Sequence, residues 1–148
     1  WLGATLGLAP LAGWLSVNPA GMDLSPVLLF LAVTFWVAAF DIYYAFQDLD
    51  FDLAFDLRSI PSVYGPDTSL ALAAFSHVMT AIFLLLTGLA AGLSWSWYVI
   101  CLGIAALLLL EHRLMRPQDL RHVNTAFFTL NGIISPVVLA GVILGIYL

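Results

Sequence analysis

Thr68–Leu110, TSLALAAFSHVMTAIFLLLTGLAAGLSWSWYVICLGIAALLLL, runs for 43 residues without a formal charge, and that length decides the fold. A hydrocarbon core of about 30 Å is crossed by about 20 helical residues. The stretch is therefore too long for one membrane span and the right length for two spans joined by a tight turn. Gly88, Gly92 and the cluster Ser94-Trp95-Ser96-Trp97 mark that turn, since glycine punctuates helices and Trp favours the headgroup zone.

The same measure, applied outward, gives three more spans. Trp1 to Met22 is uncharged and reads as one helix ending near Val17, before the breakers Asn18, Pro19 and Gly21. Leu24 to Phe40 is uncharged again, with Pro26 suited to a first helical turn, and its pattern continues helically into the acidic stretch that follows. Glu111 to Arg121 is a short polar loop containing Pro117, and Val123 to Leu148 is a fifth span. The expected fold class is all-α, a polytopic transmembrane bundle, with no internal repeat.

Composition excludes other classes. Hydrophobic residues make up 63% of the 148 and charged residues 9%, far from the roughly 25% charge of soluble globular chains. With no Lys and four Arg against nine acidic residues, a nucleic-acid partner would find almost no cations for its phosphates. The single Cys101 allows no intrachain disulfide and argues against a thiolate metal site. A first residue of Trp, inside an apolar stretch with no basic flank, reads as part of a longer protein and not as a signal peptide.

If the spans alternate, Arg58, Arg113, Arg116 and Arg121 all fall on one face, which the positive-inside rule makes cytoplasmic. That face also carries the segment from Asp41 to Asp67, where six of the nine acidic residues lie. On a helix advancing about 100° per residue, Asp41, Asp48, Asp52 and Asp56 fall within about 80° of one another, and Asp50 points the opposite way. Ionised carboxylates facing lipid would cost about 2.5–3.5 kcal/mol each, so this face must meet water, a cavity or a cation. Mg²⁺ is the best fit, because it takes oxygen ligands and is commonly held by one or two carboxylates together with substrate phosphates. A solvated acidic helix is the plainer reading. An EF-hand is excluded, since Leu53 stands where the loop needs Gly and Ser59 where it needs Glu.

The pattern Asp41-x-x-Tyr44-Ala45-x-x-Asp48-x-x-x-Asp52, followed by Arg58-Ser59-Ile60-Pro61 and Gly65, resembles the second aspartate-rich motif of the UbiA superfamily of intramembrane prenyltransferases. Glu111-His112-Arg113-Leu114, Pro117-x-Asp119-Leu120 and Asn124-x-x-Phe127-Phe128-x-x-Asn131-Gly132 resemble the last loop and helix of its 4-hydroxybenzoate polyprenyltransferase branch. The resemblance implies nine transmembrane helices, of which residues 1–148 would be the C-terminal five. It also implies a multi-pass protein of the cytoplasmic (inner) membrane, with its active site facing the cytoplasm. The implied reaction is Mg²⁺-dependent transfer of a polyprenyl group from its diphosphate to an aromatic quinone precursor such as 4-hydroxybenzoate, or alternatively 1,4-dihydroxy-6-naphthoate.

Carried over residue by residue, the resemblance makes Asp48 and Asp52 the Mg²⁺ ligands and Asp41 a group deeper on the substrate side. Arg58 becomes a phosphate contact and Tyr44 a neighbour of the reacting allyl group. Asn124 and Asn131 would line the acceptor cavity, with interhelical hydrogen bonding as the equal alternative. Leu53 and Ala54 stand where this branch often has basic residues, and Asp56 where Gly is common. The family's first aspartate motif is absent, so the segment alone is expected to be inactive.

Four ionisable positions read more plainly. His77, about ten residues into its span, is expected to be a neutral imidazole hydrogen-bonded between helices. Glu111, His112 and Arg113 are expected to be solvated at a helix end, with substrate contact at the cytoplasmic rim as the alternative. The rival class is a transporter whose acidic face lines a polar pathway; it would need polar residues deep in several spans, whereas these carboxylates cluster at one end of one helix.

Overall fold

The computed structural model describes residues 1–115, 129 and 131–147, and every regular element among them is helical. In chain order these are α1 (Leu2–Val17), α2 (Leu24–Ala45), a 3₁₀ turn (Phe46–Asp48), α3 (Leu49–Ala54), α4 (Ile60–Tyr64), α5 (Pro66–Ala91), α6 (Trp95–Leu114) and α7 (Asn131–Tyr147). Three stretches are long and apolar enough to cross a membrane: Leu24–Ala54, Pro66–Ala91 and Trp95–Leu114. The apolar helices α1 and α7 have 16 and 17 residues, about 24–26 Å at 1.5 Å per residue. The expected fifth span is α7 where it is described; residues 123–128 and Asn124 with them lie outside the described residues.

The hairpin anticipated in Thr68–Leu110 is formed by α5 and α6. Gly92, in the left-handed region at φ 62°, ends α5. The amide of Leu93 donates to the Gly88 carbonyl at 2.9 Å, and that of Gly92 to Leu89 at 3.4 Å. This paired closure satisfies the last carbonyls of the helix and requires a residue without a Cβ penalty at position 92. Gly88, read from sequence as part of the turn, is instead inside α5. A Cβ there would collide with the indole of Trp97, so its smallness serves contact between the two helices.

Small residues set the other close approaches too. Gly3 and Gly7 bring α1 against Thr34 and Phe30 of α2, and Gly141 and Gly145 bring α7 against Leu93, Trp97 and Ile100. Both pairs are spaced four apart, the arrangement by which helices in lipid approach closely enough for dispersion contact to hold them. α2 packs between α1 and α5, while α6 packs on α5 and α7. One buried cluster, with Trp97, Cys101, Ile104 and Leu108 of α6 against Ala32, Leu84 and Ile134, fills the middle. Another joins Ile42, Tyr43 and Phe46 to Leu70, Ala73 and Met115, which places the residue that follows α6 against the end of α2. Cys101 is a buried free thiol. The outward faces stay apolar, with Leu89 66% and Leu102 70% exposed, a surface suited to lipid or to further helices and not to water.

Candidate functional site

The acidic segment departs from a continuous helix. α2 stops at Ala45, a 3₁₀ turn covers Phe46–Asp48, and α3 resumes for six residues. The tighter turn advances about 120° per residue, so the register expected from a uniform 100° is lost there. α3 closes with the amide of Leu57 donating to the Asp52 carbonyl at 2.8 Å. Asp56, at φ 52°, is the only non-glycine with positive φ among the described residues. The expectation that Asp56 continues the acidic helical face is therefore corrected: it is the left-handed residue after the helix. There a Cβ is unfavourable and Asp is among the side chains that tolerate it. Asp56→Gly is expected to be tolerated and Asp56→Val to destabilise this turn by about 1–2 kcal/mol, read as faster amide hydrogen exchange across residues 49–57.

Arg58 and α4 follow directly. Ser59 caps α4: its hydroxyl accepts from the Ser62 amide at 3.3 Å, and the Ser62 hydroxyl accepts from the Ser59 amide at 2.8 Å. This reciprocal box fixes the return of the chain toward α2. As a result Asp41, Tyr44, Asp48, Asp52, Arg58 and Ser59 line one open cavity of about 490 Å³. Asp50 is not among its lining residues, as the helical projection anticipated, and Asp56 faces an adjoining cleft of about 330 Å³ shared with Asp52 and Arg58. Asp41, Asp48 and Arg58 are exposed and Asp52 is half-buried. Among the described residues no group of three or more His, Cys, Asp or Glu is arranged to hold a metal ion unaided. Two carboxylates four residues apart, with open room beside them, suit a Mg²⁺ ion whose remaining ligands are phosphate oxygens and water.

Asn131 does not line that cavity. Its side chain accepts from Trp36 Nε1 at 2.6 Å and donates to Glu111 Oε1 at 3.0 Å, so it tethers α7 to α2 and α6 by interhelical hydrogen bonds. Glu111 corrects the expectation of a solvated helix end: it is completely buried. His77 is buried as well, and neither ring nitrogen makes a hydrogen bond among the described residues. Its Nε2 lies 3.8 Å from Glu111 Oε2, outside hydrogen-bond range. His112, half-buried, shares a hydrogen bond of 3.2 Å between its Nδ1 and the Tyr43 hydroxyl. Tyr43 in turn meets the His77 ring edge-on at 5.6 Å.

The burial of Glu111 was readable from spacing. Cys101, Ile104, Leu108, Glu111 and Met115 recur at intervals of three and four, and all five are buried, so the carboxyl sits on the inward stripe of α6. Glu111→Leu takes away the acceptor of Asn131 and is expected to cost about 1–3 kcal/mol. Glu111→Gln keeps a carbonyl oxygen and should lose less, as thermal melts of the detergent-solubilised protein would show.

Comparison with known proteins agrees with this architecture. The model of the UbiA prenyltransferase family matches residues 1–133. A polyprenyl transferase of Aspergillus niger, yanG, is 33% identical over 88% of the chain and 39% of its own length. A 4-hydroxybenzoate octaprenyltransferase of Aeromonas hydrophila is 32% identical over 79% of the chain and 40% of its own length. The mitochondrial 4-hydroxybenzoate polyprenyltransferase of Arabidopsis thaliana is 31% identical over 66% and 24%. The chain thus spans about two fifths or less of the length of these relatives. No solved structure matches it. Aspartates gathered on one cavity at the end of an apolar helical bundle, and a family match over most of the sequence, lead to one conclusion: the chain belongs to the UbiA prenyltransferase family.

Proposed function

We propose that the whole protein transfers a polyprenyl group from its diphosphate to an aromatic ring, with 4-hydroxybenzoate as the acceptor and 1,4-dihydroxy-6-naphthoate as the alternative. It would work in the cytoplasmic (inner) membrane with its active site toward the cytoplasm, and residues 1–148 would form the C-terminal part of a single nine-helix domain. The observation that carries the reading is the joint lining of one cavity by Asp41, Tyr44, Asp48, Asp52 and Arg58. The relatives' names support the reaction class: two are called 4-hydroxybenzoate prenyltransferases and one a polyprenyl transferase.

Asp48 and Asp52 would supply oxygen ligands to Mg²⁺. When bound, the ion neutralises charge on the departing diphosphate. Arg58 would donate to phosphate oxygens with its planar fork, and the Tyr44 ring would favour positive charge growing on the allylic carbon. Asp41, seven residues before Asp48, would act on the substrate side. The apolar helices beside the cavity would accommodate the prenyl tail.

The test is an assay of the full-length protein in detergent or nanodiscs, with a long-chain prenyl diphosphate and each acceptor, the products identified by mass. A prenylated hydroxybenzoate formed faster than a prenylated naphthoate is the expected outcome. No transfer to either ring, with ion flux in proteoliposomes instead, would replace this reading with the transporter. In the same assay Arg58→Ala should raise KM for the diphosphate about tenfold or more, the loss of a charge-assisted hydrogen bond worth roughly 1.5–3 kcal/mol.

A further inference from the structure

The face of α2 turned away from the acidic cavity is bonded to the end of α6 at two points. Tyr43, completely buried, shares a hydrogen bond of 3.2 Å with Nδ1 of His112. Two turns earlier, Trp36 Nε1 donates to Asn131 Oδ1 at 2.6 Å, and the Asn131 amide donates to Glu111 Oε1 at 3.0 Å. Trp36 and Tyr43 are seven residues apart, so at about 100° per residue they share one stripe of α2. Their anchors, Glu111 and His112, are consecutive residues at the end of α6. Apolar contacts let one helix roll on another, whereas two hydrogen bonds at different heights on one stripe resist it, because each is directional.

Asp41 lies about 140–160° round α2 from both anchored residues, exposed on the cavity side with Tyr44. Among the described residues no side-chain hydrogen bond or ion pair holds Asp41, Asp48 or Asp52. The direction of these carboxylates therefore follows from the backbone beneath them. Tyr43 also governs what comes next: the Phe46 amide, which opens the 3₁₀ turn, donates to the carbonyls of Tyr43 and Tyr44, and that turn ends at Asp48. One residue thus joins the anchored stripe to the turn that brings an aspartate to the cavity.

We propose that Tyr43 and His112 are positioning residues: their hydrogen bond, braced by Trp36, Asn131 and Glu111, fixes the rotation of the last turns of α2 so that Asp41 and Asp48 face the cation and the diphosphate. The inference rests on the function proposed above for what is bound, and on the geometry of α2 and α6 for how it is aimed. Neither Tyr43 nor His112 lines the acidic cavity, so each acts through the backbone of α2. Without their bond, metal binding must itself hold the helix in register, and affinity falls by about the worth of that bond, roughly fivefold.

Tyr43→Phe keeps the buried ring and removes only the hydroxyl, His112→Leu removes its partner, and His112→Asn restores a polar atom close to the place of Nδ1. In the full-length protein, the Mg²⁺ concentration giving half-maximal prenyl transfer should rise about fivefold in Tyr43→Phe and in His112→Leu. It should rise no further in the double variant and should return in His112→Asn. A smaller folded fraction would lower the maximal rate and leave that concentration where it was. Amide hydrogen exchange on the metal-free protein gives a readout that needs neither ligand nor turnover. Exchange should quicken about fivefold across residues 44–48 in Tyr43→Phe, with peptides of α5 unchanged. If the unmodified protein transfers no prenyl group, the prenyl-transfer reading fails, while exchange still decides whether Tyr43 holds the end of α2. An unchanged Mg²⁺ requirement in Tyr43→Phe, additive losses in the double variant, or exchange that quickens evenly across all the helices would each overturn the proposal.

Discussion

In the full-length protein, Asp48→Asn together with Asp52→Asn is expected to lower the rate of prenyl transfer about a thousandfold. The two carboxylates line the same open cavity as Arg58, and among the described residues no third His, Cys, Asp or Glu joins them in a metal-binding group. Removing both charges leaves this side of the cavity with neutral amides where the proposed cation would be held. Stabilisation of a leaving oxygen by a metal amounts to several kcal/mol, and each 1.36 kcal/mol is a factor of ten in rate, so the loss of most of that contribution gives the expected factor. Because Asp48 is exposed and Asp52 only half-buried, the double variant should melt at nearly the unmodified temperature. Steady-state rates and a thermal melt on the same preparation separate a chemical loss from an unfolded sample.

Gly88→Leu is expected to have the opposite profile, with a large loss of stability and no direct effect on the acidic cavity. A side chain at position 88 meets the Trp97 indole, and Trp97 is fully buried with its Nε1 donating to the Leu84 carbonyl at 3.0 Å. Moving that ring breaks the hydrogen bond and disturbs the cluster of Cys101, Ile104, Leu108 and Ile134 around it. Overpacking of this kind costs about 1–3 kcal/mol, and the lost hydrogen bond adds about 1 kcal/mol. Gly103, where a Cβ meets nothing within 4 Å, is the matched control. Gly103→Leu should melt close to the unmodified protein in the same detergent, while Gly88→Leu should melt well below it.

Glycine 88 also shows where sequence reading stopped short. The hairpin of α5 and α6 followed from uncharged length, because the bilayer sets a span and 43 residues exceed one. The reason for a given glycine did not follow, since a helix break and a helix contact ask for the same residue. Gly3 with Gly7 and Gly141 with Gly145 carry the four-residue spacing of close helix packing, a signal present in the letters and passed over.

The acidic segment divides along similar lines. Helical spacing anticipated that Asp41, Asp48 and Asp52 gather, with Tyr44 beside them, and the family resemblance added Arg58; all five line the cavity together. The 3₁₀ turn at Phe46–Asp48 and the left-handed Asp56 were not anticipated, because uniform helical advance has no term for a local change of winding. Glu111 was misjudged for a different reason. Its place beside Arg113 and near Pro117 resembles a solvated helix end, whereas its place on the stripe of Ile104 and Leu108 points inward. In a bundle with few polar residues the stripe decided the outcome, and Asn131 supplied the partner that makes a buried carboxyl tolerable.

Calorimetric binding of an unreactive allylic diphosphate analogue to the full-length protein, with Mg²⁺ and then with a chelator, bears most directly on the claim that Asp48 and Asp52 grip the diphosphate through a cation. Mg²⁺ should strengthen binding at least tenfold in the unmodified protein, and most of that gain should vanish in Asp48→Asn/Asp52→Asn. Equal affinity with and without the chelator, or a Mg²⁺ gain retained in full by the double variant, would contradict it.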